Sequence, residues 1–443
     1  MTSTVSYKYI WKVSFPIIIG LIAQNIMVAI DTAFLGRVGV VALGAGALGG
    51  LFYLAVVMLG IGFGTGTQIL IGRRNGEKQF GQIGKLTDHA IYFLLALATA
   101  LFLVIFFLAP ALLQFFIRSK EVFDGTLQFL RFRAWGIFFA FINITFTSFY
   151  VGTVRTRILT YSTIITAITN AVLDYFLIFG KGGFPEMGIA GAALASSISE
   201  FVTSLFFIVR TYYFEDTAKF NLFRFSRFEK STMNRMLKLS IPIMLQNFLS
   251  FAGWFIFFMV IEHLGEHALA VSNICRSIYM LLMIPIWGLC SACNTLVSNL
   301  MGEGRINEVI PMIKKIVIIS FTCTLIIITG NLILPRYVIS IYTEDVNLIA
   351  DCIRVLDVIL LALVFFSVAM VMLFGVSGTG NTRITFNFEM FSISLYILTA
   401  YLLAVVYKLP VFYVWFVECE YFFVMGIFCF IYLRSGRWKH IKI

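Results

Sequence analysis

Four polar side chains stand inside long apolar runs of this sequence: Asp31, Asn170, Asp174 and Ser196. Carboxylate, amide and hydroxyl oxygens are hard ligands for a small cation, and a carboxylate pair can also store a proton. Asn170 and Asp174 are four residues apart, so on a helix they share one face and can address one site. Asp31 follows Pro16, at the start of the first apolar run, by 15 residues, or about 23 Å of helix. Asp174 follows Arg157, at the start of the fifth run, by 17 residues, or about 26 Å. The sixth run descends from near Gly188 and sets Ser196 about 12 Å below the surface it enters from. All four therefore fall in one layer, where Na+ or H+ is the expected occupant.

Glu200, Glu389, Glu418 and Glu420 also fall within apolar runs, and Arg276 is placed to neutralise one of them. Glu389, about 9 Å from the inner surface, is expected to snorkel there. Glu418 and Glu420 lie deeper and are read two ways, as a site for a cationic substrate or as structural acids. His263 and His267 flank a short outer loop and are expected in solvent rather than on a metal. Asp88 with His89 is the one interfacial cluster a lipid-modifying enzyme would have available. At a helix start it reads instead as a cap beside a solvated neighbour, and no enzyme is expected. The cysteines, Cys275 to Cys429, lack metal-site or disulfide spacing and read as apolar filling.

The elements that position these residues are membrane helices. Apolar residues make up 60% of the chain and charged residues 12%, far from the roughly one quarter charged of a soluble domain. Runs of roughly 20 apolar residues, enough to cross a bilayer, recur about twelve times. Lys8 and Lys12 lead straight into a full-length run with no cleavage site, so the first helix is expected to stay. The net charge of +11 does not point to nucleic acid, because the basic residues occupy alternate loops. Arg73, Arg74, Lys85, Arg155, Arg157, Lys230, Arg305, Arg383 and Arg434 fall on one side, with few on the other. By the positive-inside rule that side is cytoplasmic, and both termini are expected there.

The chain also repeats. Pro242 minus Pro16 is 226, and the same step relates Ser14 to Ser240, Gly39 to Gly265, Gly62 to Gly288, Gly76 to Gly302, Gly152 to Gly378 and Arg157 to Arg383. Six runs per repeat is an even number, so the two repeats are expected to lie parallel about an axis along the membrane normal. The expected fold is an all-α membrane protein of twelve helices in two six-helix lobes with a central cleft. Residues 1–209 form the amino lobe, 210–237 a charged cytoplasmic connector and 238–443 the carboxy lobe. Adding 226 to Asp31, Asn170 and Asp174 gives Phe257, Tyr396 and Ala400. The scaffold is duplicated and these acids are not, which suggests coupling in one lobe. The intramembrane glycines, with Pro16, Pro242 and Pro285, serve either close packing or bending.

Taken together, these residues resemble the multidrug and toxic compound extrusion (MATE) family over nearly the whole chain. The first helix carries Pro16, Gln24, Asn25, Asp31, Thr32, Phe34, Gly36 and Arg37. The fifth and sixth carry Asn170, Asp174, Gly180 and the run GIAGAALAS from Gly188 to Ser196. Asp31 with Asn170 and Asp174 is similar to the DNA-damage-inducible (DinF-like) subgroup. The resemblance implies a cation site of Asp31, Asn170, Asp174, the Ala192 carbonyl and Ser196, the last standing where the family more often has Thr. It implies a hinge at Pro16 and a substrate cavity to which Gln24, Asn25, Glu418 and Glu420 are candidate contributors. No counterpart of the carboxy-lobe acidic cluster of the other bacterial subgroup is recognised.

The implied activity is export of small-molecule drugs or metabolites in antiport with H+ or Na+, without a cofactor. The protein is expected as a monomer in the inner membrane, in contact with lipids and not with nucleic acid. A flippase for lipid-linked saccharides, which would need a strongly basic cavity, is the alternative within the same superfamily.

Overall fold

The computed structural model describes residues 6–441 and 443, and among the described residues there are helices and no strand. Among the described residues, twelve helices are long and apolar enough to span a membrane: α1 Tyr7–Val38, α2 Val40–Gly76, α3 Phe80–Gln114, α4 Lys120–Gly152, α5 Arg157–Phe179, α6 Ile189–Phe214, α7 Lys230–Glu262, α8 Glu266–Gly302, α9 Ile306–Ile333, α10 Val346–Gly378, α11 Thr382–Val406 and α12 Val411–Ser435. The repeat reaches the helix ends. α2 and α8 begin and end 226 positions apart, as do α4 and α10.

The punctuation between helices repeats for physical reasons. Gly39 and Gly265 open α2 and α8 with φ of 146° and 99°, a region that a side chain would strain. Ser119 caps α4 by accepting from the Val122 amide, and its counterpart Asp345 caps α10 by accepting from Asn347 and Leu348. Within α3, Val104–Leu108 widens into a π-helix just before Pro110, whose missing N–H removes a regular rung.

Two compact units result, Ile19–Met244 and Leu245–Ile443 joined by the chain up to Ile18. In the amino-terminal unit α4 packs between α2 and α6, with α5 on α6. In the carboxy-terminal unit α10 packs likewise between α8 and α12, with α11 on α12. Glycines set these approaches. A Cβ on Gly152 would stand 3.0 Å from the Gln68 carbonyl, and one on Gly378 would stand 2.5 Å from that of Asn294, the same contact one repeat later. A Cβ on Gly62 would meet the Met244 backbone at 2.5 Å, and one on Gly288 the Ile18 nitrogen at 3.2 Å. The start of α7 thus packs on α2 and the start of α1 on α8, which is why both unit boundaries fall inside helices. At these positions the glycines serve close packing.

The segment between α6 and α7 is docked on the end of α3. Phe220 is buried between Phe80 and Phe149, with ring centroids 5.7 and 5.5 Å away. Asp88 accepts from the Ser226 amide at 2.8 Å and its hydroxyl at 2.9 Å. His89 is fully buried rather than solvated: its Nδ1 contacts the Lys85 carbonyl and its Nε2 the Glu229 amide, each at 2.8 Å. A carbonyl can only accept, so Nδ1 carries the proton and Nε2 accepts. The Asp88–His89 pair is therefore a structural clamp. Lys85 pairs with Glu229 beside it, and the hydrogen bond from Lys85, helped by Thr232, lowers the Glu229 carboxyl to about 2.

Candidate functional site

Helix periodicity and rise bring the predicted polar residues of the amino-terminal unit to one place. Asn170 and Asp174 lie one turn apart on α5 and are fully buried, and Asp31 on α1 is half-buried. The carboxyl groups of Asp31 and Asp174 face one another, close enough to share a hydrogen bond if one of them holds a proton. Asn170 donates its amide to the Ser196 hydroxyl at 3.3 Å, tying α5 to α6. The amide oxygen of Asn170, both oxygens of Asp174 and one of Asp31 are buried without a hydrogen-bond donor. Four orphan acceptors in one cluster are what a bound cation or proton would satisfy, because burying a carboxylate without a partner is expensive.

Ala192 lies in the first turn of α6, where its side chain joins Leu35, Ala42 and Ile178 in an apolar cluster flanked by Phe34, Phe179 and Ile189. Leu35 and Ile178 are one helical turn beyond Asp31 and Asp174. An apolar layer thus lies next to the acids along both α1 and α5, and Phe34 meets Phe179 edge-on at 5.5 Å within it. Pro16 lies inside continuous α1. Asn25 turns its amide to the Leu21 carbonyl at 2.9 Å, and Gln24 is exposed.

A second polar cluster adjoins the first. Arg133 on α4 donates to both carboxylate oxygens of Glu200 on α6, at 2.8 and 2.6 Å, and its guanidinium lies 3.9 Å from the Tyr53 ring centroid. The partner of Glu200 is thus Arg133 and not Arg276, whose guanidinium rests 4.9 Å from the Phe258 ring. Sequence reasoning missed Arg133. The signal was a pair of arginines, Arg131 and Arg133, within α4, but the acid that Arg133 meets lies 67 residues away, beyond any helical spacing.

In the carboxy-terminal unit, Glu418 is buried and accepts from Tyr396 at 2.9 Å and Tyr279 at 3.3 Å. Glu420 is half-buried and accepts from Thr399 at 3.3 Å. Glu389 does not snorkel: it is buried and takes hydrogen bonds from Ser250 and Tyr421. His267 pairs with Asp351 at 2.9 Å on the surface. Among the described residues, no group of three or more His, Cys, Asp or Glu side chains is arranged to hold a metal ion.

The MatE family model matches residues 16–176 and again 242–402, two segments displaced by 226 positions at both ends. A probable multidrug resistance protein NorM of Thermotoga maritima is 27% identical over 85% of this chain and 80% of its own length. The protein of the same name in Synechocystis is 24% identical over 75% of this chain and 72% of its own. Among solved structures, an outward-facing multidrug resistance MATE transporter of the MOP superfamily superposes with a TM-score of 0.90 at 21% identity, covering 98% of this chain and 97% of that one. A MOP-superfamily transporter from Pyrococcus furiosus, described as having a binding pocket of reverse polarity, does so with a TM-score of 0.91 at 22% identity over the same shares.

Proposed function

The chain belongs to the MatE family, and on that premise we propose that it exports small organic compounds, many of them cationic, in antiport with protons or sodium ions. Family membership and its twelve spans make it a multi-pass membrane transporter and not an enzyme. The names of the relatives, multidrug resistance proteins, suggest substrates of varied shape. The basic loops favour an inner-membrane protein with both termini in the cytoplasm. We take it to act as a monomer among lipids.

The observation that carries the coupling is the orphaned pair. Asp31 and Asp174 face one another with no donor to balance them. A proton or Na+ entering there offsets a large electrostatic cost, with Asn170 and Ser196 adding neutral oxygens and the Ala192 carbonyl a further one. A ligand shifts a conformational equilibrium only through its different affinity for the two states. A site that is costly empty and satisfied when filled provides that difference. In alternating access, cation entry then biases α1, which carries Asp31 and can bend near Pro16, toward the state that releases substrate. Gln24, Asn25, Glu418 and Glu420 remain our candidates for contacting substrate.

Flipping of a lipid-linked saccharide would call for unpaired cations within the spans. Arg133 is matched by Glu200, and beside Arg276, which rests on Phe258 without an acid, the spans bury Asp174, Glu389 and Glu418, so the balance of charge favours the export reading. The test is dye and drug transport in proteoliposomes under separately imposed pH and sodium gradients, with Asp31→Asn and Asp174→Asn beside the parent. Undiminished gradient-driven transport by both variants would overturn it.

A further inference from the structure

Arg133 brings a permanent positive charge within electrostatic reach of Asp31. A guanidinium stays protonated at any pH a cell reaches, and the charge of Arg133 acts on Asp31. A tethered cation so near an acid competes with any ion arriving from solution. What prevents that here is Glu200. The pair is bidentate, at 2.8 and 2.6 Å, and occupies both carboxylate oxygens.

Several contacts hold Glu200 in this task. Asn143 donates to its backbone carbonyl at 3.0 Å, and Ser204 bonds both that carbonyl at 3.0 Å and the Asn143 side-chain oxygen at 2.9 Å. Ser197, beside Ser196, donates to the Phe132 carbonyl at 3.1 Å, fixing α6 to α4 next to Arg133. Gly136 makes room: a Cβ there would collide with the Arg133 guanidinium and stand 2.8 Å from a Glu200 carboxylate oxygen. The Tyr53 ring covers the guanidinium. A partly buried ion pair, with side chains 12% and 17% exposed, contributes little net stability. Such an arrangement makes more sense as a device that controls where a charge sits.

We propose that Glu200 is a positioning residue: by holding Arg133 it keeps the protein's own cation off Asp31, and thereby sets the affinity of the site for the coupling ion. The inference rests on Asp31 and Asp174 being that site. The charge count follows. Arg133 and Glu200 cancel, so both aspartate charges are left for ions from solution.

The experiment is ethidium transport in proteoliposomes, with half-saturating sodium or proton concentration measured for Glu200→Gln, Arg133→Gln and the double variant. Freed Arg133 should compete for Asp31, so Glu200→Gln raises half-saturation at least about tenfold. Freed Glu200 adds negative charge, so Arg133→Gln lowers it. The double variant, with the net charge of the parent, returns to within about threefold of it. Opposite shifts with restoration separate this role from a packing role, which would move both single variants the same way. The inference is overturned if the single variants shift together, if Glu200→Gln stays within about twofold of the parent, or if the double variant is no better than Glu200→Gln. Should Glu200→Gln not insert, a rise in half-saturation for Arg133→Gln overturns it as well. Asp174→Asn, run in parallel, separates the two ideas: if it keeps full ion dependence, the coupling site itself is misassigned.

Discussion

Tyr396 donates its hydroxyl to Glu418 at 2.9 Å, and these residues stand in the second repeat where Asn170 and Ala192 stand in the first, 226 positions earlier. The second repeat therefore does carry an acid near the corresponding layer, on the helix that answers to α6 instead of those that answer to α1 and α5. Its chemistry differs. Glu418 takes two tyrosine hydroxyls, whereas Asp174 has no donor at all. Tyr396→Phe should cost about 1–3 kcal/mol by orphaning a buried acceptor, read as a lower unfolding temperature in detergent. Glu418→Gln should leave the ion dependence of transport unchanged, and loss of that dependence would move coupling into the second repeat.

Within the first repeat the effects should be graded. Asp174→Asn and Asp31→Asn each remove a charge the ion must meet, and should abolish gradient-driven efflux while leaving insertion intact. Asn170→Ala removes one neutral ligand and should weaken apparent ion affinity about 10–100-fold. Ser196→Ala should do less, because the hydroxyl contacts Asn170 and no carboxylate. Equal effects from all four would contradict the graded roles. The measurement is half-saturation for the ion beside maximal rate.

How much of this was legible in the sequence depended on the range of each interaction. Helix rise is local, and counting from Pro16 and Arg157 put Asp31 and Asp174 at one depth, where their carboxyls now face one another. The offset between Gly39 and Gly265 foretold two matching helix starts, since only glycine tolerates those φ values. Contacts between distant helices left no such trace. Arg133 finds Glu200, and His89 finds the Glu229 amide 140 residues away, through packing that no periodicity records. Glu418 was visible as a deep acid, but its correspondence to Ala192 was not: comparing only the positions of the first-repeat acids asks whether an acid is copied, not whether one has moved.

The clamp on the connector has a pH signature. Lys85, then Thr232, lowers Glu229 from about 4.5 to about 2. A depressed carboxyl stabilises the folded state fully above its unfolded value and loses that contribution as pH falls through its folded value. The stability difference between the parent and Glu229→Gln should thus be constant above about pH 4.5 and vanish toward about pH 2. Urea unfolding in detergent across that range checks it. A difference that grows on acidification would assign the wrong sign to the interaction.

The paired glycines make the last claim, that the close crossing of α7 on α2 is structural. A Cβ on Gly62 would lie 2.5 Å from the Met244 Cα, and backbone cannot step aside as a side-chain tip can. Gly62→Ala should therefore cost about 1–3 kcal/mol through overpacking. Gly44 is on the same helix with nothing within 4 Å of an added Cβ, and Gly44→Ala should be neutral or gain up to about 1 kcal/mol from helix propensity. Thermal unfolding of the two variants side by side decides the point. If both behave alike, the glycine at position 62 is not there for the approach of Met244, and bending becomes the better account of it.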